Sequence, residues 1–356
     1  MKQALVHHDA LLSVNSHIDE FFEQSIKVAS DIDSSYERLW RGLHTLIQSG
    51  GKRHRPRMLL MSYMAFGGEQ VESVARIAAA HELLHFALLI HDDIIDRDYI
   101  RYGTDNIAGQ YKHTYATFMT SNEEVTHYAN SAAILAGDLM LSGAHQLIAS
   151  SDLPGDAIAT AQQLLSRGIM DVAGGELLDT EGSFVPYKKG DALKIARYKT
   201  ASYSFISPLL TGAALGGSVE AMQRQSLREY ATSLGVAYQL ADDIIGVFGN
   251  EVETGKSTVG DIIEGKRTYL VERALETLSG VDRNMFMTIF GNHAATLVEV
   301  AQAKELLVSC GARSRTEQKI AEYADAARES LSELLLPDEY HREFLLMVDK
   351  AVTRSS

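Results

Sequence analysis

The sequence has a single cysteine, Cys310, and only five prolines among its 356 residues. One cysteine cannot form an internal disulfide bond, which predicts a protein of the reducing cytoplasm. Because proline breaks helices, its scarcity leaves room for long ones. Apolar residues recur with the 3.6-residue spacing of helices along most of the chain, and no alternating strand pattern lasts more than a few residues. The sequence therefore predicts an all-α fold.

Positive charge and long apolar runs are also scarce. The formal net charge is −14, and the basic residues form no stripe, which argues against nucleic-acid binding. The N-terminal residues lack the apolar core of a signal peptide, and no run of about 18 apolar residues predicts a membrane span. The 46% of hydrophobic residues can still bury a substantial core. Length allows one or two domains, and we predict a single helical domain, residues 1–356.

Two acidic segments have nearly the same local sequence, LLIHDDIIDRD and YQLADDIIGVF. Asp92 and Asp96 of the first lie one helical turn apart on the same face, where their carboxylates repel each other unless a hard cation lies between them. Mg²⁺ takes oxygen ligands from one or two carboxylates and from substrate phosphate. A solvated acidic helix end is the alternative, but the apolar HELLHFALLI before the first motif argues against a surface helix. With Asp242 and Asp243 in the second segment, the pattern predicts two helix ends that hold several Mg²⁺ ions and a diphosphate.

The segment HELLH, residues 81–85, matches the HExxH motif of zinc proteases, and His91 stands where a metzincin has its third histidine. In metzincins a glycine ends the helix before the third histidine, whereas here Leu88 holds that position. On a continuous helix His91 lies about 9 Å beyond His85 and roughly 120° around the axis, so the histidines cannot share one tetrahedral zinc ion. We interpret His81 as a core histidine and expect His85 to face the same side as the acidic motif.

With these residues in view, the sequence resembles the trans-isoprenyl diphosphate synthases, especially the geranylgeranyl diphosphate synthases, over roughly residues 45–275. The resemblance depends on segments that follow the family's order: GGKRHRP, H-x5-HDDIID, LAGDLM, GGELLD, YKTASY, YQLADDIIG, TGK and EGKRT. It implies an all-α fold of antiparallel helices around a deep central cavity, usually in a homodimer. It also implies a Mg²⁺-dependent head-to-tail (1'-4) condensation of isopentenyl diphosphate with an allylic prenyl diphosphate, which yields a longer all-trans prenyl diphosphate and diphosphate.

The resemblance also implies roles for individual residues. The positions for the diphosphate of isopentenyl diphosphate are matched by Lys52, Arg55 and His85. The ligands of three Mg²⁺ ions on the allylic diphosphate are matched by Asp92 and Asp96 for two ions and Asp242 for the third. The cations that hold that allylic diphosphate are matched by Arg101, Lys199, Lys256 and Lys266. The polar groups beside the reacting carbon are matched by Thr200 and Gln239.

Three positions depart from the family's pattern. The family usually has two adjacent arginines after the first acidic motif, but here they are Arg101 and Tyr102, so one cation for isopentenyl diphosphate is missing. Gly246 replaces the last aspartate of the second motif, and Glu176 stands where glutamine is common. Tyr102 leaves open a catalytically weak prenyl-diphosphate-binding subunit of a hetero-oligomeric synthase, although the intact aspartates argue against it. A class I terpene cyclase is a third alternative, but Gly246 and Asn250 replace the ligands of its second metal motif.

A polar segment rich in Tyr, His and Thr follows the first acidic motif, from residue 103 to about 130. It predicts a long loop or a partly helical flap, or an insertion, at about 104–130, and long loops are more often functional or mobile than inert. Elsewhere the helical spacing predicts helices over 8–48 (one or two), 56–66, 71–98, 132–149, 156–173, 192–215, 219–247 and 267–278.

The helix before Asp92 predicts the product length. The growing tail should run from the metal ions toward the helix N-terminus, at about 5.4 Å per turn, close to one isoprene unit. The levels that it passes are Ala87 and Leu88, then Leu84, then His81. Synthases that stop at fifteen carbons often have an aromatic ring at the first level, but here Phe86 is rotated off the Asp92 stripe. The sequence therefore predicts geranylgeranyl diphosphate or a longer product.

Overall fold

The computed structural model describes residues 2–119, 121–182, 185, 190–217, 219–249 and 258–353. Within these ranges the chain is almost entirely helical, and the strands are limited to one hairpin of two residues on each side. The predicted all-α fold is confirmed. The chain divides into two compact units, one of Met1–Leu165 with Thr211–Ser218 and one of Ser166–Leu210 with Val219–Ser356. The single domain stays a prediction.

The first unit is built around one buried helix. Its elements are α1 (Lys2–Ile32), α2 (Ser34–Ser49), α3 (His54–Ala65), α4 (Val71–Ile95), β1 (Ile100–Arg101), β2 (Thr104–Asp105), α5 (Ile107–Tyr115) and α6 (Asn122–Ala149). Helix α4 contacts α1, α3, α5 and α6. Because its apolar residues lie on every side, most of its side chains are buried, as expected of a core helix.

Helices α4 and α6 are long and apolar enough to cross a membrane by length and hydropathy alone. Their most apolar stretches are 72% and 50% buried within the protein, respectively. Core helices of soluble proteins share this length and hydropathy. The absence of a membrane span stays a prediction.

The segment at about 104–130 contains β2, α5 and the first turns of α6, so of the two predicted alternatives it is partly helical and not a long loop. The buried side chain of Asn106 caps α5 by accepting a hydrogen bond from Gly109 N at 2.9 Å, and it donates to Asp98 O at 2.8 Å. Tyr111, Tyr115 and Tyr128 pack against each other, with ring centroids 4.9–5.8 Å apart. The tyrosines that suggest a polar loop in the sequence therefore form an aromatic contact between α5 and α6.

The second unit is organised around α10 (Ala221–Phe248), which contacts a π-helix (Ala196–Ile206), α15 (Ala312–Ser332) and α16 (Asp338–Thr353). Tyr230, fully buried in α10, donates its hydroxyl to Phe344 O of α16 at 2.8 Å. The remaining helices are α7 (Gly155–Gly182) and α9 (Ser207–Gly216), which belong partly to each unit, and α8 (Asp191–Ile195), α11 (Gly260–Ile263), α12 (Tyr269–Thr277), α13 (Gly280–Ile289) and α14 (Leu297–Ser309).

Two helix predictions in this part of the chain need correction. Helix α7 continues through Gly174 and Gly175 to Gly182 instead of ending near residue 173. A Cβ atom at Gly175 would lie 2.2 Å from Lys199 N, so this glycine allows a close approach of two backbones and does not end the helix. The helix predicted over 192–215 contains the π-helix at its centre. Such wide turns occur frequently at functional sites.

Candidate active site

The predicted site residues divide between the two units. The first unit contains the residues on and near α4, which are Lys52, His81, Leu84, Arg55, His85, Ala87, Leu88, Asp92, Asp96 and Arg101. The second unit contains Lys199, Thr200, Gln239, Asp242 and Lys266. The predicted diphosphate cation Lys256 lies outside the described residues.

Asp92 and Asp96 lie at the C-terminal end of α4, one helical turn apart as predicted. The backbone N–H of Asp96 donates to Asp92 O at 2.8 Å, and the helix ends there because Arg97 adopts a left-handed conformation with φ 59°. Both side chains are partly buried. The two carboxylates therefore share one face at a helix end, which suits a shared cation.

Arg101 folds back from the hairpin onto this helix end. Its guanidinium donates to Asp93 Oδ1 through Nε, at 2.8 Å, and through Nη2, and Nη2 lies 3.7 Å from Asp92 Oδ2. Burial raises the pKa of Asp93 to about 6, although the bond from Arg101 acts in the opposite direction. Asp93 thus holds the cation predicted for the allylic diphosphate beside Asp92.

The predicted isopentenyl diphosphate residues Arg55 and His85 lie near each other. Burial lowers the pKa of His85 well below its usual range, and the charges of Arg55 and Arg101 lower it further. The imidazole is therefore neutral, next to permanent cations. Helix α3 begins at His54 without a side-chain cap, and such a helix N-terminus favours an anion. Lys52 is exposed at the end of the preceding loop.

Tyr102 lies at the tip of the hairpin, where Tyr102 and Gly103 both have positive φ, 54° and 76°. Its ring covers Gly50, since a Cβ atom there would lie 2.6 Å from Tyr102 Cδ2. Burial raises the pKa of the Tyr102 hydroxyl, which keeps the phenol neutral. Tyr102, which stands in place of the family's second arginine, therefore contacts the loop that carries Lys52.

The predicted chain-length residues lie on α4. Leu84, Ala87 and His81 are almost fully buried, with exposures of 0%, 0% and 1%, whereas Leu88 is only partly buried. Burial and the charge of Arg55 lower the pKa of His81 to about 3, and neither ring nitrogen has a hydrogen-bond partner among the described residues. His81 is a neutral core histidine, as interpreted from the sequence.

Helix α4 continues unbroken through His91. His91 Nε2 lies 3.3 Å from Ile134 O and 3.7 Å from the Asp138 carboxylate, both on α6. The continuous helix assumed in the argument against a zinc site is confirmed.

In the second unit, Thr200 and Gln239, both predicted to lie beside the reacting carbon, contact each other. Thr200 Oγ1 donates to Gln239 Oε1 at 2.5 Å, and Gln239 Nε2 donates to Asp243 Oδ1 at 2.7 Å. Burial raises the pKa of Asp243 well above its usual range, and the charges of Asp261, Asp242 and Asp179 raise it further, against the bond from Gln239. By accepting this hydrogen bond, Asp243 fixes the orientation of the Gln239 side-chain amide.

Lys199, on the π-helix, forms ion pairs with two carboxylates of α7. Its Nζ lies 2.9 Å from Glu176 Oε2 and 2.7 Å from Asp179 Oδ2. The three side chains are 20–26% exposed. Glu176 therefore contacts a predicted substrate cation directly, and Asp179 joins it.

Asp261 fills the space that a side chain at position 246 would take. A Cβ atom at Gly246 would lie 2.2 Å from Asp261 Oδ2. Lys266 Nζ lies 3.9 Å from Asp261 and 3.0 Å from Glu264, and Lys266 N donates to Asp261 O at 3.0 Å. A carboxylate from α11 thus stands where the second acidic motif lacks its last aspartate, with a predicted diphosphate cation beside it.

The carboxylate oxygens of both motifs are the hard donors that Mg²⁺ prefers. Among the described residues, no group of three or more His, Cys, Asp or Glu side chains is arranged to hold a metal ion by itself. Mg²⁺ commonly completes its shell with phosphate oxygens and water. Asp92 and Asp96, one turn apart on α4, fit ions that are bound together with a diphosphate, and Asp242 supplies a further carboxylate in the second motif.

Sequence reasoning assigned no role to Asp93, Asp179 or Asp261. Asp93 and Asp179 lie inside recognised motifs, so their proximity to Asp92 and Glu176 was a usable signal. No feature of the sequence indicated Asp261, because it follows Gly246 by fifteen positions and the two residues meet only in the folded chain.

Comparisons with known proteins identify the family of this chain. The profile of the polyprenyl synthetase family matches residues 37–307. A geranylgeranyl diphosphate synthase of Sulfolobus acidocaldarius is 31% identical over 82% of this chain and 85% of its own. A short chain isoprenyl diphosphate synthase of Methanothermobacter thermautotrophicus is 32% identical over 96% of both chains. The crystal structure of a Corynebacterium glutamicum geranylgeranyl pyrophosphate synthase, complexed with isoprenyl diphosphate and magnesium, has a TM-score of 0.89 at 29% identity, over 96% of this chain and 97% of its own.

A family profile that spans three quarters of the chain, together with relatives aligned over most of their own length, defines the class as prenyltransferases. The chain belongs to the polyprenyl synthetase family, which confirms the resemblance found in its motifs.

Proposed function

We propose that this prenyltransferase condenses isopentenyl diphosphate with an allylic prenyl diphosphate, head to tail, to give all-trans geranylgeranyl diphosphate or a longer product. The observation that carries the proposal is that each unit places a cation beside carboxylates at or near its acidic motif. Arg101 joins Asp92 and Asp93 in the first unit, and Lys266 joins Asp261 in the second. Carboxylates for metal ions, interleaved with cations for phosphate, suit a diphosphate that leaves with its charge neutralised.

The first step is breakage of the allylic C–O bond, which yields a carbocation and diphosphate. Arg101, Lys199 and Lys266 would stabilise the charge that develops on the leaving diphosphate. When bound to the carboxylates, Mg²⁺ would act there as a Lewis acid and neutralise the same charge. We propose three ions, with Asp92 and Asp96 for two of them and Asp242 for the third.

The second step joins the two substrates. The Thr200 hydroxyl donates its hydrogen bond to Gln239, so the lone pairs of the Thr200 oxygen are available to stabilise the carbocation. The isopentenyl double bond attacks the cation and forms the new C–C bond, and the proton then lost goes to the bound diphosphate. Exclusion of water protects the cation from hydrolysis. We also propose that the enzyme is a cytoplasmic homodimer.

The requirement for both substrates tests this function. With Mg²⁺ present, diphosphate should be released from farnesyl diphosphate only when isopentenyl diphosphate is added, because the second substrate traps the cation. Rapid release from the allylic substrate alone, with a cyclic hydrocarbon product, would instead indicate a cyclase. No release with both substrates, from folded protein, would favour the weak subunit of a hetero-oligomer.

Tyr102→Arg should lower the KM for isopentenyl diphosphate about tenfold. The ring already contacts Gly50 of the Lys52 loop, and a charge-assisted bond to phosphate adds about 1.5–3 kcal/mol. Steady-state kinetics with each substrate varied in turn measures the change, and the allylic KM should stay the same. Tyr102→Phe is the matched control, which keeps the ring and should leave both constants unchanged. An unchanged or higher KM in the arginine variant would mean that another contact already replaces the missing cation.

Leu88→Phe should shorten the main product, and Leu84→Ala should lengthen it. Leu88 is partly exposed, so a ring fits there with less overpacking than at the fully buried Ala87, where Phe has the same predicted effect but costs about 1–3 kcal/mol of stability. Chromatography of the dephosphorylated products measures the chain length of the product. Leu83→Phe, on the opposite face of α4, is the control and should leave the product unchanged. Wild type that releases mainly farnesyl diphosphate, or a Leu88→Phe variant with the wild-type product, would show that the tail does not follow this face.

A further inference from the structure

Arg53 stands between Lys52 and Arg55, yet its side chain turns into the protein. Its side chain is 15% exposed, and its guanidinium donates four hydrogen bonds. Nε donates to Asn15 Oδ1 at 3.0 Å, and Nη2 to Ile47 O at 3.1 Å. Nη1 donates to Gly50 O at 3.3 Å and to Glu82 Oε1 at 3.0 Å. Four of the five N–H groups of an arginine are thus used within the first unit, which leaves little for a substrate.

The partners of Arg53 lie on three helices and on the loop itself. Asn15 belongs to α1, Ile47 to α2 and Glu82 to α4, while Gly50 begins the loop that leads to α3. The backbone of this loop is held in unusual conformations, with φ 102° at Gly51 and 52° at Arg53. A left-handed conformation is unfavourable for a non-glycine residue, and it persists where the surrounding contacts impose it.

Arg53 is the ion-pair partner of the buried Glu82 carboxylate. The Glu82 side chain is 5% exposed, and its Oε2 has no hydrogen-bond partner among the described residues. A buried carboxylate that loses its ion-pair partner is strongly destabilising. The pair therefore fixes the guanidinium against α4, at a residue one turn before His85.

We propose that Arg53 is a positioning residue for the isopentenyl diphosphate site. By tying the loop to α1, α2 and α4 it sets the directions in which Lys52 and Arg55 leave the backbone, and it aligns the N-terminus of α3. This inference rests on the proposed function, since it assumes that those two cations bind isopentenyl diphosphate. The planar fork of the guanidinium is required, because a lysine ammonium cannot reach acceptors on three helices at once.

The test uses full-length enzyme with Arg53→Lys, Arg53→Gln and the double variant Arg53→Gln/Glu82→Gln. All three should raise the KM for isopentenyl diphosphate tenfold or more, with the allylic KM and the kcat at saturation within threefold of wild type. The double variant removes the unpaired buried charge, so it supplies folded protein where Arg53→Gln alone is too unstable. Its melting temperature should recover toward that of wild type while its KM stays high. Arg41→Gln, which breaks only a surface ion pair with Glu37, is the control and should change neither constant.

A purely structural role would lower the melting temperature and the active fraction of the Arg53 variants and leave both KM values at the wild-type level. That result, or an equal rise in both KM values, would overturn the inference. Arg55→Ala run in parallel separates this failure from failure of the proposed function. If Arg55→Ala raises the isopentenyl KM and the Arg53 variants do not, only the positioning role is lost. If wild type itself does not join the two substrates, the function fails.

Discussion

Replacing Asp92 or Asp96 with alanine is expected to lower kcat about a thousandfold while the protein stays as stable as wild type. Loss of a main electrostatic stabiliser of the transition state costs about 10²–10³ in kcat. The two carboxylates lie on one face of α4, so removing either relieves a repulsion of about 0.2–0.5 kcal/mol. Asp93 retains the closer contacts to Arg101, which should keep the hairpin in place. Activity and stability should therefore separate.

The measurement is kcat with both substrates saturating, over a range of Mg²⁺ concentrations, together with the melting temperature. Asp325→Ala is the control, since this carboxylate on α15 is 77% exposed and lies outside the motifs and the proposed site. Removal of Mg²⁺ should abolish wild-type activity, and a zinc-selective chelator should not. Full turnover by Asp92→Ala, or stoichiometric zinc in the active enzyme, would contradict the assignment.

Arg55→Ala is expected to raise the KM for isopentenyl diphosphate by about 10–100-fold, because a hydrogen bond to a charged group contributes about 1.5–3 kcal/mol. The allylic diphosphate is assigned to other residues, so its KM should change little. We expect different effects on the two KM values because Arg55 lies beside His85, whereas Lys199 lies on the π-helix.

Arg57→Ala is the matched control for this variant. Arg57 lies two residues further along α3, carries the same charge and is exposed. Its removal should leave both KM values near those of wild type, which would show that net charge alone does not explain the effect. Equal rises in both KM values for Arg55→Ala would mean that the two diphosphate pockets are wrongly assigned.

The fold class and the main helices followed from the sequence because they depend on local properties. Scarce proline and regular apolar spacing define α4 and α10, and the Asp92 and Asp96 register follows from helix geometry alone. Of the two alternatives for the segment near 104–130, the long loop was wrong and the partly helical one was right, because packed tyrosines and a buried Asn106 cap have the composition of a loop. Gly175 suggested a helix end, whereas it permits close backbone contact.

Parts of the site were not predictable, because they depend on contacts between distant positions. The ion pairs of Lys199 with Glu176 and Asp179 join α7 to the π-helix. Asp261 reaches Gly246 only in the folded chain. Within the GGKRHRP segment, sequence alone does not separate cations that face the substrate from Arg53, which faces Glu82. Motifs therefore predict the groups that act on the substrates, and the structure adds residues that contact them.

The most direct test of the central claim is product analysis of the wild-type enzyme. Purified protein is incubated with isopentenyl diphosphate, farnesyl diphosphate and Mg²⁺, and the dephosphorylated products are separated by chromatography against all-trans standards. We expect geranylgeraniol or a longer all-trans alcohol, with one diphosphate released for each isopentenyl unit added. Recovery of the allylic substrate unchanged from folded, Mg²⁺-supplied enzyme, or its conversion without uptake of isopentenyl diphosphate, would contradict the account.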